Sequence, residues 1–342
     1  MEAGSQPASM ELGVRVPRVS VCVPSYNAAR FLPAAIDSVL AQDFADFELV
    51  VSDDASADDT TAVLGRYADP RLRVVRSEDR LGQAGNWNRC VELARGEYVI
   101  LLHADDELLP GYLDRAVAVL DAHEEVRLVH CAAEHIDEAG NPLFLQTLLD
   151  EDLVDGDRVI LRRLLLEGCV INPAGVMVRR TAYERAGPFT DRIVWGVDWH
   201  MWIRVALQGA VGYLAEPLAR YREHGHSGTS AVMASGRNAR DEMWVLADVF
   251  EHIGQVLPEL CDLKAPALRG VAHRTWCFAE TMCELGDMDA ARVGLRNALR
   301  ISPRMIAQPR VLGLWAATYT GYTWFARVHT GKEWITGRLP GR

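Results

Sequence analysis

Two pairs of adjacent aspartates are the residues of this sequence best suited to chemistry: Asp53 with Asp54, and Asp105 with Asp106. Each pair follows a short apolar run rich in β-branched residues, which predicts a strand buried on both faces. Ligands of open α/β sheets bind outside the carboxyl ends of the strands. Carboxylates there can accept hydrogen bonds from a base or a ribose, and at 105 and 106 they can bind a divalent metal that holds a phosphate-bearing substrate. The alternative is that the acids are solvated or cap the next helix.

The elements that would position these acids alternate regularly along the first third of the chain. Apolar runs predict strands at residues 19–24, 47–52, 72–76 and 98–102, and helical spacing predicts helices at residues 30–42, 60–67 and 82–94. This alternation indicates a parallel sheet with crossover helices. Neither G-x-G-x-x-G nor G-x-x-x-x-G-K-[ST] occurs in the turns, so a dinucleotide-dependent dehydrogenase and a P-loop protein lose their main support.

The middle of the chain continues the mixed pattern, and the last third changes to helix alone. Strands are predicted at 126–132, 176–180 and 213–221, and helices at 111–123, 161–167, 181–186 and 195–207. From about residue 237 the pattern predicts helices at 238–255, 265–285 and 288–299. Residues 279–303 look like one tetratricopeptide unit with Gly286 and Asp287 as its turn. A solenoid needs about three such units, so we expect a helical appendage on the catalytic domain.

Composition limits the class of function. With 342 residues the chain has room for about two domains of ~150 residues. The formal net charge of −11 argues against a nucleic-acid-binding protein. It does not exclude a nucleotide ligand, because a bound metal can supply local positive charge.

Cysteine usage and hydropathy bear on location. The seven cysteines include no C-x-x-C pair, which indicates reduced thiols and a cytoplasmic protein. Residues 1–17 have no apolar segment of signal-peptide length, and we expect a disordered leader. The longest uncharged stretch, residues 311–326, is shorter than the ~20 residues of a spanning helix. It holds Trp315, Tyr319 and Tyr322 at helical spacing, flanked by Arg310, Arg327 and Lys332. That stretch could lie at a membrane interface or be an ordinary packed helix.

Seven motifs in order resemble glycosyltransferase family 2, the inverting enzymes with the GT-A fold. They are VSVCVPSYN at 19–27, VVSDDASADDT at 50–60, Gly82 with Asn88, ARGEY at 94–98 with HADD at 103–106, GPF at 187–189, DWHMWIR at 198–204 and YREH at 221–224. The resemblance covers roughly residues 19–230. It implies an α/β GT-A domain with a mostly parallel sheet, followed here by an all-helical C-terminal region.

The resemblance implies a role for each matching residue. The residues expected to bind the nucleotide sugar are Pro24, Tyr26, Asn27, Asp53, Asp54, Gly82, Asn88, His103, Ala104 and Asp105. Asp105 would be the main ligand of Mn²⁺ or Mg²⁺ on the donor diphosphate, with Asp106 beside it. His224 would approach the metal or the diphosphate, although His226 could take that place.

The catalytic residue implied by the resemblance is Asp198, as a general base. The alternative is that this carboxylate only caps its helix. A single displacement needs one base and no protein nucleophile, which agrees with the lack of a G-x-S-x-G motif. Trp195 could stack on an acceptor, and Arg80 lies near the donor pocket by register, although a surface position is the simpler interpretation.

The sequence departs from the family at two positions of the site. His103 stands where the first acid of the common Asp-x-Asp pattern is expected, and Val197 stands where many members have Glu. The Gln-x-x-Arg-Trp signature of processive synthases is also absent. These features favour transfer of a single sugar and leave the metal site dependent on Asp105 and Asp106.

We therefore predict three regions: a leader at 1–17, a transferase domain at 18–235 and a helical region at 236–342. Within the transferase domain, residues 18–107 would bind a UDP-, dTDP- or GDP-sugar, and residues 108–235 would bind the acceptor. The acceptor would be a glycan, a lipid-linked sugar or a small molecule, in cell-surface glycan, glycolipid or natural-product synthesis. Peripheral membrane contact through the C-terminal helices and a homodimer are further expectations. The alternatives are a degenerate domain that binds sugar or a partner without turnover, and a sugar-phosphate nucleotidyltransferase.

Overall fold

The computed structural model describes residues 16–225 and 237–320 of the chain. His226, Tyr322, Arg327, Lys332 and nearly all of the expected leader lie outside the described residues. The first elements are β1 (Val19–Ser25), α1 (Leu32–Leu40), β2 (Phe47–Asp53), α2 (Thr60–Leu64), β3 (Leu72–Arg76), α3 (Gly82–Leu93) and β4 (Tyr98–Leu101). The four strands lie parallel in the order β3-β2-β1-β4, as the alternation predicts. β2 and β4 are buried along their whole length because helices cover both faces.

The second part extends the same sheet. It comprises β5 (Glu107–Leu108), α4 (Tyr112–Ala122), β6 (Val126–Ile136), β7 (Pro142–Gln146), β8 (Leu153–Asp155), α5 (Val159–Glu167), a 3₁₀ turn (Pro173–Gly175), β9 (Val176–Arg179), α6 (Arg180–Ala186), α7 (Val197–Ala206) and β10 (Ala210–Arg222). The order continues β4-β9-β6-β10-β5, with β7 beside β6 and β8 beside β10. β9 is antiparallel to both β4 and β6. β6 therefore runs in the same direction as β1 to β4, and β10 is parallel to β6.

Three strands are absent from the sequence-based expectation. β5 and β8 are too short to give a periodic pattern. β7 begins with a proline and is mostly exposed, so it lacks the apolar signal of a strand. β5 and β8 pair with β10, and β7 pairs with the last four residues of β6.

The C-terminal region is helical in its described part, as predicted. Its elements are α8 (Arg237–Val256), a 3₁₀ turn (Pro258–Leu263), α9 (Lys264–Glu284), α10 (Met288–Ile301), a second 3₁₀ turn (Pro303–Ala307) and α11 (Pro309–Thr320). Gly286, with φ of +86°, makes the turn between α9 and α10. Asp287 then caps α10 by accepting a hydrogen bond from the Ala290 amide at 3.0 Å.

The core of the transferase domain continues into these helices. Buried residues of α5 and α7, among them Leu164 and Trp199, share one apolar cluster with Val245 and Phe250 of α8 and with Val271 of α9. The opposite face of the sheet packs on α1 and α4 in a second cluster. The hydrophobic packing is thus continuous across the expected domain boundary at residue 236.

No helix in the described ranges is long and apolar enough to cross a membrane. In α11, Trp315 is half-buried against α9 and α10, whereas Tyr319 is 62% exposed with the Arg292 guanidinium 4.5 Å from its ring centroid.

The contact of α9 with α5 depends on a glycine. A Cβ at Gly270 would lie 2.4 Å from the Leu166 carbonyl oxygen, whereas a Cβ at Gly254 of α8 would meet nothing closer than 3.9 Å. We expect Gly270→Ala to lower the free energy of unfolding by about 1–3 kcal/mol through overpacking. The matched control Gly254→Ala should raise it by up to ~1 kcal/mol, because alanine is the better helix former. Urea denaturation measures both, and equal effects of the two substitutions would contradict the close contact.

Candidate active site

The site lies at one edge of the sheet. Because β1, β2, β4, β6 and β10 run in the same direction, their carboxyl ends meet there. The topology thus brings the loops after residues 25, 53, 101 and 222 together, although they are far apart in the sequence.

The centre of this edge is a cluster of three titratable side chains, His103, Asp105 and Asp106. Their ligand atoms lie within 4.8 Å of one another. Asp106 is 1% exposed; its Oδ1 accepts a hydrogen bond from the Arg222 amide at 3.0 Å, and its Oδ2 is buried without a hydrogen-bond partner. This oxygen lies 3.6 Å from His103 Nδ1, beyond hydrogen-bond range. A buried carboxylate oxygen without a hydrogen bond, beside a second acid, fits a hard divalent cation, which prefers carboxylate ligands. The structure also adds His103 to the group, where the sequence indicated a pocket residue.

His224 completes this corner of the site. Its Nε2 lies 2.9 Å from Asp105 Oδ2, its ring packs 4.8 Å from that of Phe31, and its Nδ1 is buried without a partner. The predicted contact of His224 with a metal or diphosphate stays a prediction, and its hydrogen bond to Asp105 is a contact that the sequence did not indicate. His224 can orient this carboxylate, and its ring lies close enough to the cluster to contact a bound ion or diphosphate.

The pKa values of the two aspartates are shifted in opposite directions. Burial raises the pKa of Asp106 well above its ordinary value, and the negative charge of Asp105 acts in the same direction. Burial also acts to raise the pKa of Asp105, but the hydrogen bond from His224 and the charge of His103 outweigh it and lower that pKa. A cation bound between the two groups would stabilise both as carboxylates.

Arg222 fixes the loop that carries the cluster, a role the sequence analysis missed. It is 6% exposed, and its Nε donates to the Asp105 carbonyl at 3.0 Å. Its Nη1 donates to the Asp137 carbonyl at 3.2 Å, and its Nη2 forms an ion pair with Glu107. The only available signal was its position inside the YREH motif. The guanidinium joins the ends of β4, β6 and β10, so the acids are held in place before any ligand binds.

Asp53, at the end of β2, is buried, and both of its carboxylate oxygens accept hydrogen bonds. It is 1% exposed, its Oδ1 accepts from the Ser56 amide at 3.1 Å, and its Oδ2 accepts from Arg76 Nη1 at 2.6 Å. Arg76 also donates to the Ser56 carbonyl at 2.7 Å. This pair shapes the loop after β2, and Arg76 was not recognised from the sequence. A contact of Asp53 with a nucleotide stays a prediction.

Asp54 caps α3. Its two carboxylate oxygens accept hydrogen bonds from the amides of Leu81, at 2.6 Å, and Gly82, at 3.0 Å. Gly82 has φ of +76° at the start of α3, and a Cβ there would meet nothing within 4 Å. Asp54 thus caps α3, whereas the next helix of the chain after β2 is α2.

Tyr26 and Asn27 border the same loops. Asn27, with φ of +49°, donates its amide to Ser56 Oγ at 2.9 Å and accepts from the Ala57 amide through Oδ1 at 2.8 Å. Tyr26 is 39% exposed, and the Arg80 guanidinium lies 3.7 Å from its ring centroid. An exposed aromatic ring with a cation over it suits a planar base, so Arg80 is more than an isolated surface residue.

One further predicted residue, Asn88, has structural partners. The Asn88 amide donates to the Phe189 carbonyl at 3.0 Å and accepts from the Phe189 amide at 2.7 Å, which fixes the turn after Gly187. Two positions earlier, the buried Asn86 accepts from Ser52 Oγ at 2.6 Å and was overlooked in the sequence.

The remaining predicted residues lie within the same edge. Pro24 is half-buried near the end of β1, in register with Ser52 of β2. Ala104 is buried beside His103, whose ring stacks on Trp87 with centroids 5.1 Å apart.

Asp198 lies in the first turn of α7. Its Oδ1 accepts from the Trp199 amide at 2.8 Å, and its Oδ2 lies 3.9 Å from Cys169 Sγ. Burial raises the pKa of Asp198, although the Trp199 amide and the charge of His103 oppose the shift. One oxygen thus binds an amide of the first turn of α7, and the raised pKa makes the carboxylate a stronger base than an exposed aspartate; its role as the catalytic base stays a prediction.

Comparison with known proteins identifies the family. The sequence model described as "Glycosyl transferase family 2" matches residues 20–187. The uncharacterized protein MT1568 of Mycobacterium tuberculosis is 31% identical over 263 residues, which cover 72% of this chain and 82% of that protein. The chain belongs to glycosyltransferase family 2. It is accordingly a glycosyltransferase.

Solved structures confirm the GT-A fold. TarS 1–349 of S. aureus, solved in complex with UDP-GlcNAc, superposes with a TM-score of 0.64 at 19% identity, covering 93% of each chain. The mannosyltransferase PcManGT from Pyrobaculum calidifontis, solved in complex with GDP-Man and Mn²⁺, gives 0.55 at 21% identity and covers 92% of this chain and 85% of that one. Because both coverages of this chain exceed 90%, the likeness includes helices beyond the transferase domain.

The orphaned oxygen of Asp106 predicts a metal-dependent gain in stability. Mn²⁺ should raise the melting temperature of the wild-type protein, because a ligand that binds only the folded state at 100 times its Kd adds ~2.7 kcal/mol. In Asp106→Asn this shift should disappear, because the hard oxygen ligand is lost. Asp54→Asn, a matched change outside the cluster, should retain the shift. An undiminished Mn²⁺ shift in Asp106→Asn would contradict the proposed ligand.

Proposed function

We propose that this glycosyltransferase moves one sugar from a nucleotide diphosphate donor to an acceptor hydroxyl, with metal assistance and inversion, and that Asp198 is the base. The observation that carries the proposal is that the acids of the site have two different environments. Asp105 and Asp106 form a pair with an unsatisfied buried oxygen, and Asp198 is a separate carboxylate with a raised pKa. Metal binding and proton abstraction need these two environments.

The donor side of the mechanism depends on residues already held in place. Asp105 and Asp106, with His103 and His224 beside them, would hold Mn²⁺ or Mg²⁺, whose charge neutralises that of the departing diphosphate. Arg222 keeps the acid loop rigid through its bond to the Asp105 carbonyl. Tyr26 and Arg80 offer the stacking surface for the base at the ends of β1 and β2. Preorganised groups of this kind lower the cost of reorganisation in the transition state.

The acceptor side needs one proton transfer. As the acceptor oxygen forms a bond to the anomeric carbon, its proton moves to the Asp198 carboxylate and the bond to the diphosphate oxygen breaks on the opposite face. One such displacement inverts the configuration. The first-turn position of Asp198 keeps the carboxylate at the start of α7, and burial increases its affinity for the proton.

The donor class is supported by the structural neighbours, one of which holds UDP-GlcNAc and another GDP-Man with Mn²⁺. We infer a UDP-, dTDP- or GDP-sugar for this chain. The acceptor classes given above, the cytoplasmic location, the homodimer and the membrane contact stay predictions. His103, in place of an acid, is the one feature that favours the alternative of a degenerate binding domain.

A calorimetric titration with UDP, GDP and dTDP, each with Mn²⁺ and with EDTA, separates these functions. We expect tight binding of one nucleotide that EDTA abolishes, because the diphosphate and the two aspartates would share the cation. Binding that EDTA leaves unchanged would overturn the metal's role. If none of the three nucleotides binds, the degenerate-domain alternative is favoured instead.

Asp198→Asn tests the base. We expect a fall in kcat of about 10²–10⁴-fold, measured as release of nucleotide from its sugar, with the Kd for the nucleotide unchanged. In the wild type the rate should fall as the pH drops through the raised pKa of Asp198, since the base must be deprotonated. The exposed Asp191 lies in the segment before α7, and Asp191→Asn serves as the matched control with wild-type turnover. Unchanged turnover in Asp198→Asn would exclude it as the base.

A further inference from the structure

The segment that leads into α7 is held by a buried acid of the C-terminal region. The amides of Val194 and Trp195 both donate to Asp241 Oδ2, at 3.0 and 3.1 Å. Asp241 belongs to α8 and is 2% exposed. Gly196, with φ of +71°, follows, and α7 begins at Val197 rather than at residue 195 as the sequence indicated. The position of the first turn of α7, which carries Asp198, therefore depends on this anchor.

The next residue of α8 adds a second anchor. Glu242 accepts a hydrogen bond from the Trp195 indole through Oε1 at 3.3 Å. Its Oε2 accepts from Arg274 of α9 through Nε and Nη2, at 3.0 and 2.6 Å. The Arg274 side chain is 27% exposed and the Glu242 side chain 9%, so this pair, with two hydrogen bonds to one carboxylate oxygen, is partly shielded from solvent.

Arg274 also reaches the other side of Asp198. Its Nη1 donates to the Leu166 carbonyl at 3.3 Å, near the end of α5, and its guanidinium lies 5.9 Å from the Trp199 ring centroid. A Cβ on Gly168, which has φ of +96°, would lie 3.1 Å from this guanidinium. Cys169 follows, with Sγ 3.9 Å from Asp198 Oδ2. Arg274 thus connects both segments that flank the carboxylate.

We propose that Asp241 and the Glu242–Arg274 pair are positioning residues for Asp198, so that the C-terminal helices form part of the catalytic apparatus. This inference rests on the proposed role of Asp198 as the base. A buried carboxylate with two amide donors on one oxygen defines the path of the backbone more tightly than apolar packing alone. A misplacement of the base by ~1 Å is enough to lower a rate by ~10²-fold.

Asp241→Ala and Arg274→Met test the proposal, with Asp241→Asn as the conservative variant that keeps an acceptor oxygen. The readouts are the rate of nucleotide release from UDP-GlcNAc or GDP-mannose, according to which nucleotide binds, and the Kd and stoichiometry of that nucleotide with Mn²⁺. We expect kcat to fall about 10- to 100-fold in the first two variants, with Kd and stoichiometry unchanged. Asp241→Asn should recover most of the rate.

Asp248→Asn is the matched control. Asp248 lies on the same helix and also contacts α7, through a bond to His200 Nε2 at 2.8 Å, but it does not touch residues 194–196. It should retain wild-type kcat. In the Asp198→Asn background, Asp241→Ala should cause no further loss, because positioning a base that has been removed has no effect.

The outcomes separate the two proposals. Turnover unchanged in Asp198→Asn overturns the base assignment, and the positioning role with it. Turnover lost in Asp198→Asn but retained in Asp241→Ala and Arg274→Met overturns only the positioning role. A fall in stoichiometry that matches the fall in kcat, or a multiplicative loss in the double variant, indicates a merely structural role and also overturns it. If Asp241→Ala does not fold, the partly exposed Arg274 decides the question.

Discussion

Two adjacent carboxylates follow the end of β4, Asp106 buried and Asp105 with a side chain 30% exposed, and their close placement is the constraint on which the rest of the site depends. Two like charges in a low-dielectric environment repel, and neither can ionise freely without compensation. The fold stabilises Asp105 through His224 and leaves one oxygen of Asp106 without a hydrogen bond, 3.6 Å from His103 Nδ1. A protein that only needed a stable strand end would have an apolar or exposed residue there. A bound divalent cation would offset the repulsion between the two carboxylates, so this unfavourable arrangement is consistent with a metal-binding function.

The surroundings of the pair follow from that constraint. A loop with this much repulsion would relax unless its backbone were fixed, and Arg222 fixes it from the end of β10. The same logic holds at β2, where the buried Asp53 pairs with Arg76 and Asp54 closes the amino end of α3. Most of the charged groups at this sheet edge thus organise loops, and few are left to contact ligands directly. Tyr26 with Arg80, the orphaned Asp106 oxygen and Asp198 are the groups best placed to do so.

The sequence predicted what is encoded locally. Apolar runs predicted the long parallel strands, and the motifs at 53–54, 103–106, 198 and 224 predicted which residues would meet at their ends. It could not predict the partners of Asp106, Trp195 or Arg76, because these contacts join residues 23 to 116 positions apart. The short strands β5 and β8 carry no periodic signal, and they form because neighbouring strands offer free edges. Asn88 matched a family position, but the structure uses its amide to fix a turn, which only tertiary contacts reveal.

The helical region provides hydrogen-bond acceptors for backbone amides of the transferase domain. α7 begins at a left-handed glycine, and the segment before it has amides that no strand or helix of its own domain satisfies among the described contacts. Asp241 of α8 accepts the hydrogen bonds of these amides, and Arg274 of α9 binds the neighbouring Glu242. Because the apolar core is continuous from α5 and α7 into these helices, the anchor is rigid rather than peripheral. A base on a first turn is only as well positioned as the segment before it, and in this chain that segment is completed by residues about 45 positions further along.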